Sequence, residues 1–341
     1  MPFSGPLPPF ARPNHASLRA SRIRDYCLPA ARISWKAARF LGEFVKHKII
    51  VGGLMAASLA LCAAGPVIAA SAPKNVVPEA SKSVEGGLGV QVLVAQSEIK
   101  SNINPSYVSV AMAGGVLAAL IDAKIESDRA KRAEMEIAPL RTALTGFDVD
   151  GLATDTTKAT MARYPWLSVA TPAFGRDSSL LGKSAALDAA ATNEVAFFEY
   201  IYDLAPDFST IRVSLNMQFA NKALPEGKKP ESRLAPRELS YSQTVTSVVA
   251  LPRPTDMAGN AARWSAGDGK LARKALSEAF AELAILAPRA LELSAADLKA
   301  MSGKDKKNTS LYGFSGRLLE EDDTGTLLFN AGLTHLETLS E

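Results

Sequence analysis

The chain has 341 residues, 38 of them basic and 35 acidic, with 47% hydrophobic and 21% charged side chains. That length suits one large domain or two ordinary ones, and the composition is too apolar for a globally disordered chain. Beyond residue 62 there is no cysteine and one histidine, His335, so most of the chain is closed to Cys/His metal centres, disulfides and thiol chemistry.

From Ile49 to Ala72 the sequence IIVGGLMAASLALCAAGPVIAASA carries no charge, with Lys46, His47 and Lys48 just before it. A short basic stretch, an apolar run and terminal small residues form the layout of a secretory signal peptide, expected over residues 45–70. Cleavage after Ala69 or Ala70 fits the small-residue rule. The run is rich in Ala and Gly and is interrupted by Pro66, which makes it marginal as a spanning helix. Contact with a membrane is expected only through residues 49–72, and only if they stay uncleaved. Cys62 follows the large Leu61 inside the apolar run, so it reads as a small hydrophobe and not as a lipidation site.

Residues 1–44, rich in Pro and Arg, lie too far upstream to belong to such a leader. A GTG start codon at Val45 would place Met-Lys-His-Lys directly before the apolar core. Residues 1–44 are therefore expected to be a non-native or disordered basic extension; a cytoplasmic tail or an organelle presequence are the alternatives. Without residues 1–70 the chain keeps 29 basic and 33 acidic side chains. This mildly acidic balance removes the electrostatic basis for a nucleic-acid partner.

Residues 71–87 are polar and contain Pro and Gly, as in a linker, and 88–341 are expected to form a single domain. Leu88–Ile99 alternates at Val90, Val92 and Val94, which predicts a strand. Asn104-Pro105 marks a helix start, with Val108, Met112, Val116, Leu120 and Ile121 on one stripe and Gly114 and Gly115 inside it. The helix turns polar over Glu126–Glu136, where Asp128 and Arg132 are spaced as an i,i+4 pair. Pro139 should bend or end it. A second helix is predicted over Leu152–Tyr164, a short strand over WLSVAT from Trp166, and a weak helix over Ser184–Ala191. Glu194–Leu204 and Thr210–Phe219 read as a β-hairpin. In its second arm Ile211, Val213, Leu215, Met217 and Phe219 alternate with polar residues, so one face is buried and the other wet. A charged loop with three prolines spans 221–237, a Ser/Thr/Val strand spans Glu238–Leu251, and RPTDMAGN reads as another loop. Leu271, Ala275, Phe280, Leu283 and Ala287 predict an amphipathic helix from Asp268 to Leu286, closed by Pro288. A last hairpin joins Leu311–Leu319 to Thr326–Leu336 through EEDDTG. Helices and hairpins alternate irregularly, which predicts an α+β fold with a mixed or mostly antiparallel sheet.

Few residues invite a chemical reading. His335 sits in a predicted strand, and no G-x-S-x-G elbow occurs, so a structural or surface histidine is expected. Glu320, Glu321, Asp322 and Asp323 are consecutive, unlike the alternating ligands of a calcium loop, and fit a solvated turn. Gly86, Gly87 and Gly89 do not join a strand to a helix as a phosphate cradle requires, and read as linker. Asp122, Glu126 and Arg129 share one helix face, which fits an exposed ion-paired face better than a paired-carboxylate site. Trp166 and Trp264 read as core or cap residues. No catalytic, cofactor or metal site is expected.

The run Gly114-Gly115-Val-Leu-Ala-Ala-Leu-Ile-Asp122, then Arg129-Ala-Lys131-Arg-Ala-Glu134 and Pro139-Leu-Arg141, resembles a pattern found in uncharacterised exported or lipoprotein-type proteins of proteobacteria. The resemblance implies a bacterial envelope setting and adds no chemistry. The expected function is a periplasmic or secreted binding or assembly factor with an envelope protein as partner. The competing expectations are a periplasmic hydrolase using Asp122 and Glu126, and an inner-membrane protein anchored by an uncleaved 49–72 helix.

Overall fold

The computed structural model describes residues 74–83, 87–102, 116–167, 171–224, 227–303, 305 and 307–340, with side chains of 116–123 excepted. All belong to one compact unit, Ile68–Glu341. The strands are β1 (Gly89–Leu93), β2 (Lys100–Ser101), β3 (Ala173–Gly175), β4 (Glu194–Leu204), β5 (Thr210–Asn221), β6 (Tyr241–Ala250), β7 (Asn308–Leu311), β8 (Phe314–Asp322), β9 (Gly325–Phe329) and β10 (Leu333–Thr338). The helices are α1 (Glu79–Lys82), α2 (Val116–Ala143), α3 (Val149–Met161), α4 (Leu180–Ala189), α5 (Met257–Glu292) and α6 (Ala295–Met301).

The fold is α+β with a mixed sheet ordered β3-β1-β4-β5-β6-β10-β9-β8-β7, and β2 continues the edge of β4 beyond β1. Its centre is the hairpin that the alternation predicts: β4 and β5 pair without a break from Glu194↔Asn221 to Leu204↔Ile211. The parallel pairs are β1 with β3, β1 with β4, β2 with β4, and β10 with β6.

The period of two divides the sheet into an inner and an outer face. Phe198, Tyr200, Val213, Leu215, Phe219, Tyr241, Val245 and Leu333 point inward and form the main core with Ile137, Leu140, Trp264, Leu276, Phe280 and Leu283 of α2 and α5. The outer face is covered in two places. Leu187 of α4, with Leu234 and Leu239, packs on Leu93, Val195, Phe197 and Ala220. At the opposite end Leu311, Tyr312, Phe314 and Leu318 of the β7–β8 hairpin pack on Val248, Leu328 and Leu336.

Several boundaries differ from expectation, each for a local reason. Residues 74–83, expected as linker, dock on the sheet: Val77 is buried, Ser81 Oγ donates to Glu194 Oε1 at 3.1 Å, and Ser242 N donates to Lys74 O at 2.7 Å. Gly89 is no linker either. It opens β1, where a Cβ would lie 2.7 Å from Thr192 Oγ1, so the close approach requires glycine. The strand predicted over WLSVAT is instead a 3-10 turn at Pro165–Leu167, and β3 begins at Ala173; residues 168–170 lie outside the described residues. Within 221–237, Pro230–Leu234 forms a 3-10 turn. Its Arg233 is buried and donates to Asp188, Ser184 and the carbonyl of Lys222.

Helix α5 starts earlier than its apolar stripe suggests and ends later. Asp256 caps it by accepting from Gly259 N at 2.8 Å, within the segment expected as loop. Ala266–Gly269 then leave helical geometry, with Gly267, Asp268 and Gly269 at φ of 56°, 56° and 71°. The helix resumes and passes through Pro288, as α2 passes through Pro139. Each proline removes one helical hydrogen bond, yet burial of Ile137 and Leu140, and of Leu286, Ala287 and Ala290, holds the backbone in place. The predicted last hairpin is a four-strand meander, β7 to β10, whose final strand crosses back to pair with β6.

The expectations for residues 1–44, the leader at 45–70, Cys62, Gly86, the helix start at Asn104-Pro105, and Gly114 and Gly115 lie outside the described residues. Among the described residues no helix is long and apolar enough to cross a membrane.

Candidate functional site

Strands β3, β1 and β4 run parallel, with β1 in the middle. The chain leaves β1 toward α2 and α3, and leaves β3 toward α4, whose Leu187 packs on the other face of the sheet. Where successive connections diverge to opposite faces, a crevice opens beyond the carboxyl ends of the strands, the usual ligand position in open α/β sheets. Here it is a cavity of about 280 Å³ bordered by Glu98, Arg141, Asp148, Asp150, Arg176 and Tyr202.

Two arginines and a glutamine shape this crevice by holding the excursion 94–99 between β1 and β2. Arg176 Nη1 donates to Val94 O at 3.2 Å and Gln96 O at 3.1 Å, and its Nη2 donates to Asp150. Arg141 Nε donates to Ile99 O at 3.0 Å, and its fork grips Glu134. The Gln96 amide takes the place of a missing strand residue: Nε2 donates to Tyr202 O at 2.5 Å, and Tyr202 N donates to Oε1 at 3.2 Å.

The electrostatics hold one of these groups charged and another neutral. Hydrogen bonding to Arg141 keeps Glu134 below the usual carboxylate range. Burial, reinforced by Asp150, pushes the Tyr202 hydroxyl up to about 12. The crevice therefore offers fixed charges and a neutral phenol, a setting for orienting a polar group.

The outer sheet face provides a second surface. Between its two covers lie Ser214, Asn216, Thr244, Thr246 and Thr334, with Ile201 at 44% exposure among them. Ser214 Oγ and Thr246 Oγ1 are 3.1 Å apart. Ion pairs close both ends: Lys183 Nζ reaches Glu199 Oε2 at 2.8 Å under α4, and Arg212 Nε reaches Asp203 Oδ1 at 2.8 Å, with its guanidinium over Phe314. The surface is a trough with apolar walls and an uncharged polar floor.

The residues singled out from sequence do not meet in either place. Asp122 lies in the part of α2 whose side chains are outside the described residues. Arg129 borders a different cavity, of about 480 Å³, with Asp128, Arg132 and Met257, while Glu126 lines neither that cavity nor the crevice. Glu320 is held by Arg289 and Asp322 turns the β8–β9 hairpin by accepting from Thr324 and Gly325, so the acidic run does not converge. Among the described residues no group of three His, Cys, Asp or Glu is arranged for a metal ion. His335 is in β10, buried, and faces α5. Trp264 belongs to the core, while Trp166 is half-buried against Tyr164 and Phe219. Arg176, Gln96 and Lys183 stand in the sequence as isolated polar residues, and Arg141 enters there only within the resembling run, with no role attached. No protein-family model, curated protein or solved structure matches this chain.

Proposed function

We propose that this chain is an exported protein of the bacterial envelope that acts by binding another envelope protein through the trough on its outer sheet face. The trough carries this reading. The outward face of an antiparallel sheet is commonly polar and solvated; this one also keeps a large apolar side chain, Ile201, exposed among hydroxyls and amides between two covers. Such a floor has an apolar anchor and directional polar groups around it, the composition of recognition surfaces. The charge-free stretch 49–72 behind a basic flank supports export, and a thiol-free body beyond it suits that setting. In this reading the crevice at the ends of β1 and β3 positions a polar group and transforms nothing.

Two outcomes follow. In cells, the protein is expected in the periplasmic or secreted fraction with its N-terminus after Ala69 or Ala70, as read by mass spectrometry of the native N-terminus. Retention of residues 1–70 in the cytosol would sink the export reading, and resistance to carbonate extraction would replace it with a membrane anchor. A photo-crosslinking residue at Ile201 is expected to trap an envelope protein that the same residue at Ile285, exposed on α5, does not. Equal trapping at both positions, or none at Ile201, would remove the trough from the account.

A further inference from the structure

The C-terminal meander joins the rest of the sheet through one parallel pair, β10 on β6, with α5 packed across the junction. Parallel pairs hold their backbones with slanted bonds, so the side chains at this seam matter. Those side chains are unusual. Gln243 Nε2, Ser247 Oγ, His335 Nδ1 and Glu337 Oε1 are buried without a hydrogen-bond partner, and they make up four of the five such atoms among the described residues. All four point to the inner face, with His335 opposite Ser247 and Glu337 opposite Val249 in register. Orphaned buried polar atoms are individually costly; gathered on two adjoining strands, they mark a place where protonation state decides the fit.

The surroundings are mostly acidic. From α5, Lys274, Glu278, Glu282 and Arg289 face the seam. From β8, Glu320 and Asp322 do so, with Glu320 paired to Arg289. His335 Nδ1 lies 3.8 Å from Glu282 Oε1 while the ring is 7% exposed. The other side of the ring rests on Gly325, where a Cβ would come within 2.6 Å of Nε2. The ring is thereby held with Nδ1 toward α5. Lys274 donates to Ser340 O and Oγ, and its ammonium also lies 3.8 Å from Glu278 Oε1.

We propose that this seam is a proton-operated clasp, which fastens the C-terminal meander to α5 and β6 in mild acid and loosens it in mild alkali. A proton on Glu337 removes its repulsion with Glu278 and Glu282. Burial first, then those two carboxylates, push Glu337 up to about 7 from an ordinary 4.5, with Lys274 opposing. Between those values the folded chain holds a proton that the unfolded chain has lost. Its contribution to stability is full below the ordinary value and fades as the pH rises through the folded one.

Hydrogen–deuterium exchange on the full chain at pH 6 and pH 8.5, corrected for the intrinsic rate, tests the clasp. Protection of β10 amides, and of Leu339 N on Ala250 O just after the strand, is expected to fall by about tenfold, while β4 and β5 amides hold theirs. Glu337→Gln, which cannot ionise, is expected to abolish the fall. Should that variant fail to fold, Glu278→Gln removes a repelling neighbour and is expected to move the midpoint of the fall to lower pH. The clasp is overturned if β10 and β4 lose protection in parallel, if Glu337→Gln keeps the pH dependence, or if Glu278→Gln leaves the midpoint in place.

Discussion

Lys183→Met is expected to lower the unfolding free energy by about 3–5 kcal/mol, read as a drop in the urea midpoint. The Lys183 side chain is 7% exposed beneath α4, with Nζ 2.8 Å from Glu199 Oε2 and 3.0 Å from Gln218 Oε1. Removing the ammonium leaves the Glu199 carboxylate in a half-dry site with no cation. The pair itself adds little net stability, because desolvating two charges offsets most of their attraction. Hence the double variant Lys183→Met with Glu199→Gln is expected to recover much of the loss, with a coupling energy of about 2 kcal/mol or more. Additive single losses would show that Lys183 acts by packing alone. Because α4 forms one wall of the trough, the single variant is also expected to weaken crosslinking from Ile201 under conditions where the chain is still folded.

Trp264→Ala is expected to cost a similar amount, about 3–5 kcal/mol, and to lower Tm accordingly. Trp264 is fully buried, and its indole Nε1 donates to Phe208 O at 2.7 Å. Phe208 holds the turn of the central hairpin at φ 57°. Asn260, one turn earlier on α5, donates to Asp207 O at 2.9 Å. The first part of α5 thus staples the β4–β5 turn through two side-chain donors. Trp264→Phe keeps most of the apolar volume and orphans the Phe208 carbonyl, so a smaller loss of about 1–3 kcal/mol is expected. Equal losses in the two variants would mean that the hydrogen bond, not the ring, supports the turn.

What was legible in the sequence was periodicity. The alternation from Ile211 to Phe219 located β5 and its buried face, and Glu194–Leu204 matched β4 at both ends. The α5 stripe was visible from Leu271 onward. Its first turns were hidden because Gly259, Gly267 and Gly269 interrupt the pattern, while the cap that starts them, Asp256, sat among residues that read as loop. Partners far apart in sequence were not legible. Glu337 looks like any charge near a chain end until Glu278 and Glu282 are brought over it, and Arg176 becomes a clamp only once β3 lies beside β1. The His335 reading stands as a buried strand histidine, but nothing in GLTHLETL announces four neighbouring carboxylates. A bulge adds to the difficulty. The register shift between Leu318 and Glu320 lets Leu319 join the main core while Glu320 reaches Arg289, which a strict alternation would place on opposite faces.

The interruption at Ala266–Gly269 also changes the reach of α5. An unbroken α5 would be about 54 Å long, whereas its longest companion strand, β5, has 12 residues and reaches about 40 Å. The left-handed step Gly267-Asp268-Gly269 divides it into two shorter rods, and Gly269, at φ 71°, packs against Ala143, whose Cβ would lie 3.2 Å from a Cβ placed on it.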